Sequence, residues 1–77
     1  DPEDVVVAST GVIGQPLDIT PIVSAIPTLT ATLSSSHKAS KDAAEGIMTT
    51  DVKRKEIAVE FEIGGKTVTL GGMSKGS

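Results

Sequence analysis

"EIAVEFEIGGKTVTLGG", residues 56–72, decides the fold. Ile57, Val59, Phe61 and Ile63 alternate with Ala58, Glu60 and Glu62, the period of two that puts successive side chains on opposite faces of a strand. Gly64-Gly65 is a two-residue turn signal, and Lys66, Val68 and Leu70 continue the alternation on the return. The stretch predicts a hairpin over 56–72. Glu60 and Glu62 mark its wetter face, and the opposite, apolar face must pack on something.

Working back from the hairpin, the period becomes helical. Ser40 stands before a stretch in which Ala43, Ala44 and Ile47 recur at helical spacing, with Gly46 near the end. A helix over about 41–48 is expected, delivering "IMTTD" to a turn. Further back, Asp18 precedes Ile19, Ile22, Val23 and Ile26, and Pro21 is tolerable in a first helical turn. That spacing predicts a short helix over about 19–26. Pro27 starts the next piece, where Leu29 and Leu33 allow a second short helix over about 28–34, ending in the polar "SSSHKAS" loop. At the front, Val5 to Ser9 has the β-branched density of a strand buried on both faces. A strand is expected over 4–9, stopping where Gly11 permits backbone angles that other residues avoid. The fold class expected is α/β, with mixed strands and short helices.

Composition bounds what such a chain does alone. Of its 77 residues 38% are apolar, mostly Val, Ile and Ala, and Phe61 is the sole aromatic. Alanine contributes little burial energy compared with Leu, Ile or Phe, so the core material is thin. Cysteine is absent, which excludes a disulfide framework and a thiolate metal site. Without Asn there is no N-glycosylation acceptor. The chain is therefore expected to be one segment, 1–77, of something larger and not an independent domain.

Partners are bounded in the same way. Apolar runs such as Val5 to Ala8 are far too short to cross a bilayer or to form a signal peptide, so no membrane partner is expected. Net charge is −3, with acidic excess at Asp1, Glu3 and Asp4. The one basic cluster, Lys53-Arg54-Lys55, is flanked by Asp51 and Glu56 and reads as a solvated turn. With no Tyr or Trp to stack on bases either, nucleic acid is not an expected partner.

Several motifs fail when their mechanics are checked. Gly65-Lys66-Thr67 ends like a phosphate-binding loop, but Glu60 stands where that loop needs its first Gly, and a strand follows where it needs a helix. "GGMSKGS" reads Lys-Gly-Ser where the same loop reads Gly-Lys-Ser. His37 lies in a Ser-rich stretch with no partner carboxylate close in sequence, and reads as a solvated loop residue. No metal site is expected. Three short stretches remain: "STGVIG" between a strand and a helix, "MTTD" after a helix, and "GGMSKGS" leaving the hairpin. Each sets a hydroxyl or a cation beside Gly or a turn where elements end, the places where binding residues concentrate.

In this order the three stretches resemble the ornithine acetyltransferase family of arginine biosynthesis, also called glutamate N-acetyltransferase. "VVVASTGVIGQPL" is similar to the family's strand and signature loop, "AAEGIMTTD" to its helix and Thr-Thr-Asp turn, and "VEFEIGGKTVTLGGMSKGS" to the hairpin leading to its self-cleavage site. The resemblance implies a fragment of the amino-terminal (α) chain, within a layered α/β sandwich of the self-cleaving, N-terminal-nucleophile type. It makes 9–14 an oxyanion loop and 73–77 a pre-cleavage loop, with Gly71, Gly72 and Gly76 letting the segment bend toward the cut.

The chemistry implied is acetyl transfer from N-acetylornithine to glutamate through an acetyl-Thr intermediate. The nucleophilic Thr would lie on the β chain of the same precursor. The Thr10 hydroxyl and the Gly11 N–H are then the oxyanion donors, and preorganised donors of that kind contribute about 3 to 4 kcal/mol each. Thr49, with adjacent Thr50 as the alternative, matches a substrate contact. Lys75 matches a Lys whose cation suits a substrate carboxylate. Expected partners are the remaining α-chain segment and the β chain in an α2β2 assembly, with N-acetylornithine and glutamate as small-molecule substrates. No cofactor is expected, although acetyl-coenzyme A is an alternative donor in some members. The compartment implied is the cytoplasm, or the mitochondrial matrix in a eukaryote. Two rival readings stand beside this one: a related terminal-nucleophile aminopeptidase or amidase, and a non-enzymatic α/β interaction module.

Overall fold

The computed structural model describes residues 1–76. The chain divides into two compact units, Asp1–Thr32 and Leu33–Ser77.

In the first unit a single 3-10 turn, Pro2–Asp4, leads into the segment from Val5 to Gly11, which has no regular hydrogen-bonded structure. The strand expected over 4–9 is therefore corrected. Val5 leaves the turn with extended angles, φ −103° and ψ 123°, but an extended segment becomes a strand only by pairing, and among the described residues it has no ladder partner. Val6 is 96% exposed. The loop that follows turns at Gly14 and not at Gly11. Gln15 N–H donates to the Val12 carbonyl at 3.1 Å, and Gly14 takes φ +81°, whereas Gly11 is not among the glycines with positive φ.

Helix α1, Thr20–Ala31, replaces the two short helices expected over 19–26 and 28–34. Asp18 is not its N-cap, which is Ile19, but makes a local turn bond one residue earlier: the Thr20 N–H donates to Asp18 Oδ1 at 3.0 Å, and that bond lowers the Asp18 pKa. Pro21 occupies the first turn, where its missing N–H costs nothing. Pro27, read from sequence as a break, lies inside the helix. It removes one bond, the one its N–H would have made to the Val23 carbonyl, and the helix continues on either side. The helix closes at Thr32, whose hydroxyl donates to the carbonyls of Thr28 and Leu29, both at 3.1 Å.

The second unit carries α2, His37–Gly46, and the hairpin of β1, Lys55–Ile63, with β2, Lys66–Ser74. The helix starts four residues before the expected 41–48. Ser36 is its N-cap, accepting from the Ala39 N–H at 3.1 Å, so part of "SSSHKAS" is helix and His37 is its first residue and not a loop residue. Ser40 instead reaches the hairpin, donating to Glu56 Oε2 at 2.7 Å. Arg54 bonds Glu56 Oε1 at 2.9 Å and Glu45 Oε1 at 3.0 Å, a second tie from α2 to the start of β1. Surface pairs of this kind are worth about 0.2 to 1 kcal/mol each, so they orient more than they stabilise. Ala44 on α2, 1% exposed, is the buried apolar residue of the described chain.

The hairpin is as the sequence predicts, extended by a residue at one end and two at the other. The antiparallel register runs from Lys55 opposite Ser74 to Ile63 opposite Lys66. Ile57, Val59, Phe61 and Ile63 share one face with Val68 and Leu70, and Glu60 and Glu62 face Thr69 and Thr67 on the other. Gly64 and Gly65 take φ +57° and +77°. Two consecutive positive φ values define the turn type whose twist matches that of the strands, and glycine reaches them without a Cβ penalty. Gly71 and Gly72 sit in the ladder opposite Ala58 and Ile57 and do not bend the chain. Of the expected 73–77 loop, Met73 and Ser74 belong to β2, Lys75 and Gly76 follow it, and Ser77 lies outside the described residues.

Candidate functional site

Helix α2 ends at Gly46, and the Met48 N–H donates to the Glu45 carbonyl at 3.0 Å, turning the chain out of the helix with Met48 half-buried. Thr49, Thr50 and Asp51 follow in that turn. Asp51 is the centre of what is built there. Its side chain is 1% exposed, and both carboxylate oxygens are filled.

Oδ1 accepts from the Gly76 N–H at 2.6 Å and from Lys55 Nζ at 3.0 Å. Oδ2 accepts from the Thr49 N–H at 3.1 Å and from Lys75 Nζ at 3.3 Å. The amides of Gly76 and Thr49, followed by Lys55, hold the Asp51 carboxyl far below the usual carboxylate range. Asp51 is thus ionised at any physiological pH. Gly76, at φ +112°, adopts a backbone conformation that L residues rarely take while presenting its N–H to the carboxylate.

Lys75 Nζ also donates to Thr49 Oγ1 at 2.7 Å. The two residues assigned to substrate on sequence therefore meet, although one leaves α2 and the other leaves β2. Thr50 takes no part in this network. An ammonium has three donors, and two are used here. Lys75 is 49% exposed, so solvent and ligands reach its side chain. One carboxylate set between Lys55 and Lys75 leaves the cluster with one uncompensated positive charge, which suits an anionic ligand group.

Thr10 and Gly11 lie in the first unit, both exposed, and a Cβ built on Gly11 would meet nothing within 4 Å. Grooves along the hairpin are lined by Lys55, Glu56, Ile57, Gly72 and Met73, with His37 and Ser40 on the side of α2. Their acid, Glu56, is already paired with Arg54 and Ser40. No group of acidic or His residues among those described is placed to hold a metal ion. No helix among them is long and apolar enough to cross a membrane.

Asp51 stands in the sequence within the Thr-Thr-Asp turn and beside the basic run, but no site role is assigned to it there. Two local signals point to it: a carboxylate two residues after Thr49, within reach of that residue's N–H, and a Lys four residues further on at position 55.

A helix and a two-stranded antiparallel hairpin carrying a carboxylate-ordered Lys–Thr pair define an α/β segment with a net-positive side-chain cluster at the ends of α2 and β2. The chain belongs to the ArgJ family, whose model matches residues 1–77. It is 54% identical over 99% of its length to the arginine biosynthesis bifunctional protein ArgJ of Thermosynechococcus vestitus. It is 51% identical over 97% of its length both to the chloroplastic arginine biosynthesis bifunctional protein ArgJ of Ostreococcus lucimarinus and to the glutamate N-acetyltransferase of Methanocaldococcus jannaschii. The chain spans 16% to 18% of the length of these relatives. No solved structure matches it.

Proposed function

We propose that this chain is an α-chain segment of a glutamate N-acetyltransferase that moves the acetyl group of N-acetylornithine to glutamate. The observation that carries the reading is the Lys75–Thr49 pair on Asp51, a cationic donor set of the kind an amino acid carboxylate requires, in a member of this family.

In this reading a Thr at the amino terminus of a partner chain supplies the nucleophile. Its hydroxyl oxygen attacks the acetyl carbonyl carbon, and its proton passes to the Thr α-amino group, whose pKa of about 7.7 to 8.0 suits a base near neutral pH. The C–N bond then breaks, the proton goes to the departing ornithine amine, and the acetyl group stays as a Thr ester. In the second half-reaction glutamate's amine attacks the ester carbonyl, the ester C–O bond breaks, and the amine's proton passes through the Thr α-amino group to the Thr oxygen, giving N-acetylglutamate and free Thr. Both tetrahedral intermediates carry an oxyanion, and the Thr10 hydroxyl with the Gly11 N–H donates to it. Lys75 and Thr49 hold the substrate carboxylate while acetyl moves between two amino acids, an exchange that needs no cofactor.

The test is a single half-reaction. The assembled protein, mixed with N-acetylornithine alone, should release ornithine and gain the mass of one acetyl group on the nucleophilic Thr. The Thr10→Val variant should form that adduct more slowly by about tenfold or more, with N-acetylornithine affinity nearly unchanged. Absence of ornithine release and of the adduct would overturn the acetyltransferase reading. An unchanged rate in Thr10→Val would remove Thr10 from the chemistry.

A further inference from the structure

We propose that Asp51 is a positioning residue for the substrate site: it fixes the Lys75 ammonium against Thr49 and ties down the Gly76 amide, with Lys55 as the counter-ion that leaves the Lys75 charge free for ligand. The inference rests on the reading of Lys75 as the carboxylate contact and deepens it.

A lysine is a flexible four-carbon stem ending in a hydrated point charge, and holding it in one place costs side-chain entropy. Lys75 is held without burial. Thr49 Oγ1 at 2.7 Å and Asp51 Oδ2 at 3.3 Å take two donors and leave the third for a ligand. Asp51 is itself anchored by the backbone amides of Thr49 and Gly76 and by the half-buried Lys55. Lys55 is fixed in turn by the Lys53 carbonyl at 3.0 Å.

Charge makes the division of labour necessary. A lone Asp51–Lys75 pair would be neutral and a weak attractor of anions. Lys55, 29% exposed, supplies the second cation and restores a net positive site. The same carboxylate joins the turn after α2 to the two residues that follow β2. Loss of Asp51 therefore disturbs both sides of the site together.

Asparagine keeps the shape of Asp51 but sets an NH2 group against one of the two donor pairs, whichever way its amide lies. The two effects of Asp51→Asn oppose each other in sign. Removing a negative charge would by itself draw a carboxylate more strongly and lower KM, whereas losing the hold on Lys75 raises it. The test is steady-state acetyl transfer by the assembled enzyme, comparing wild type, Asp51→Asn, Lys55→Gln and Lys75→Met.

Positioning predicts that Asp51→Asn raises KM for N-acetylornithine about tenfold, with kcat changed much less, and that Lys55→Gln raises KM in the same direction. An unchanged or lowered KM in Asp51→Asn, while Lys75→Met raises it, would overturn the positioning role and leave the Lys75 contact standing. An unchanged KM in Lys75→Met would overturn both. Should Asp51→Asn fail to accumulate, Lys55→Gln decides: a raised KM supports the proposal and an unaltered one contradicts it.

Discussion

Lys75 Nζ donates to Thr49 Oγ1 at 2.7 Å, joining two residues 26 positions apart in the chain. Of the two adjacent threonines it is Thr49 that Lys75 touches. Thr49→Val removes the acceptor and leaves Lys75 hanging on Asp51 alone. We expect KM for N-acetylornithine to rise by about twofold to tenfold, the loss typical of one hydrogen bond. Thr50→Val should leave it within about twofold. Steady-state kinetics on the two variants checks this, and the reverse pattern would move the contact to Thr50.

The Asp51 carboxyl, held far below its ordinary value by the Gly76 and Thr49 amides and by Lys55, sets a pH window. A carboxylate whose folded pKa is depressed contributes stability that is present above its unfolded value and lost as pH falls toward the folded value. Wild type should therefore unfold at a higher temperature than Asp51→Asn by a margin that is flat from pH 7 to about 5. The margin should shrink only below about pH 4, where an unfolded Asp takes up its proton. Thermal unfolding of both proteins across that range is the measurement. A margin that closes between pH 7 and 5 would show that Asp51 is not the ionised centre described.

The hairpin turn makes a prediction independent of function. Gly65 sits at φ +77°, where a β-branched residue pays about 1 to 2 kcal/mol, so Gly65→Val should speed amide hydrogen exchange in β1 and β2 roughly 5- to 30-fold. Gly64→Asn, which creates the Asn-Gly pair favoured in this turn, should leave exchange nearly as in wild type. Equal effects of the two substitutions would contradict the turn geometry.

The hairpin was legible because its information is local: alternation sets the faces, and two glycines set the register. Helix α2 was legible as an element but not at its start, because Ser36 and Ser40 are both acceptable caps and only the fold assigns Ser40 to Glu56. Pro27 misled, since a proline inside a helix removes a single bond and the flanking turns held it. Val5 to Ser9 misled for a different reason: β-branched density expresses a preference for sheet, and a strand exists only where a neighbour pairs with it. Lys75 and Thr49 were named through family resemblance. Their meeting was not legible, nor was Asp51, because both depend on how the turn after α2 and the exit from β2 converge.

In the proposed reading Lys75, steadied by Thr49 and Asp51, receives the carboxylate of an acetylated amino acid. The most direct measurement is binding of N-acetylornithine and of its carboxamide counterpart to the assembled enzyme and to Lys75→Met, by calorimetry. Wild type should prefer the carboxylate by about tenfold or more, and Lys75→Met should lose most of that preference. Equal binding of acid and amide by wild type, or a preference that survives in Lys75→Met, would contradict that reading.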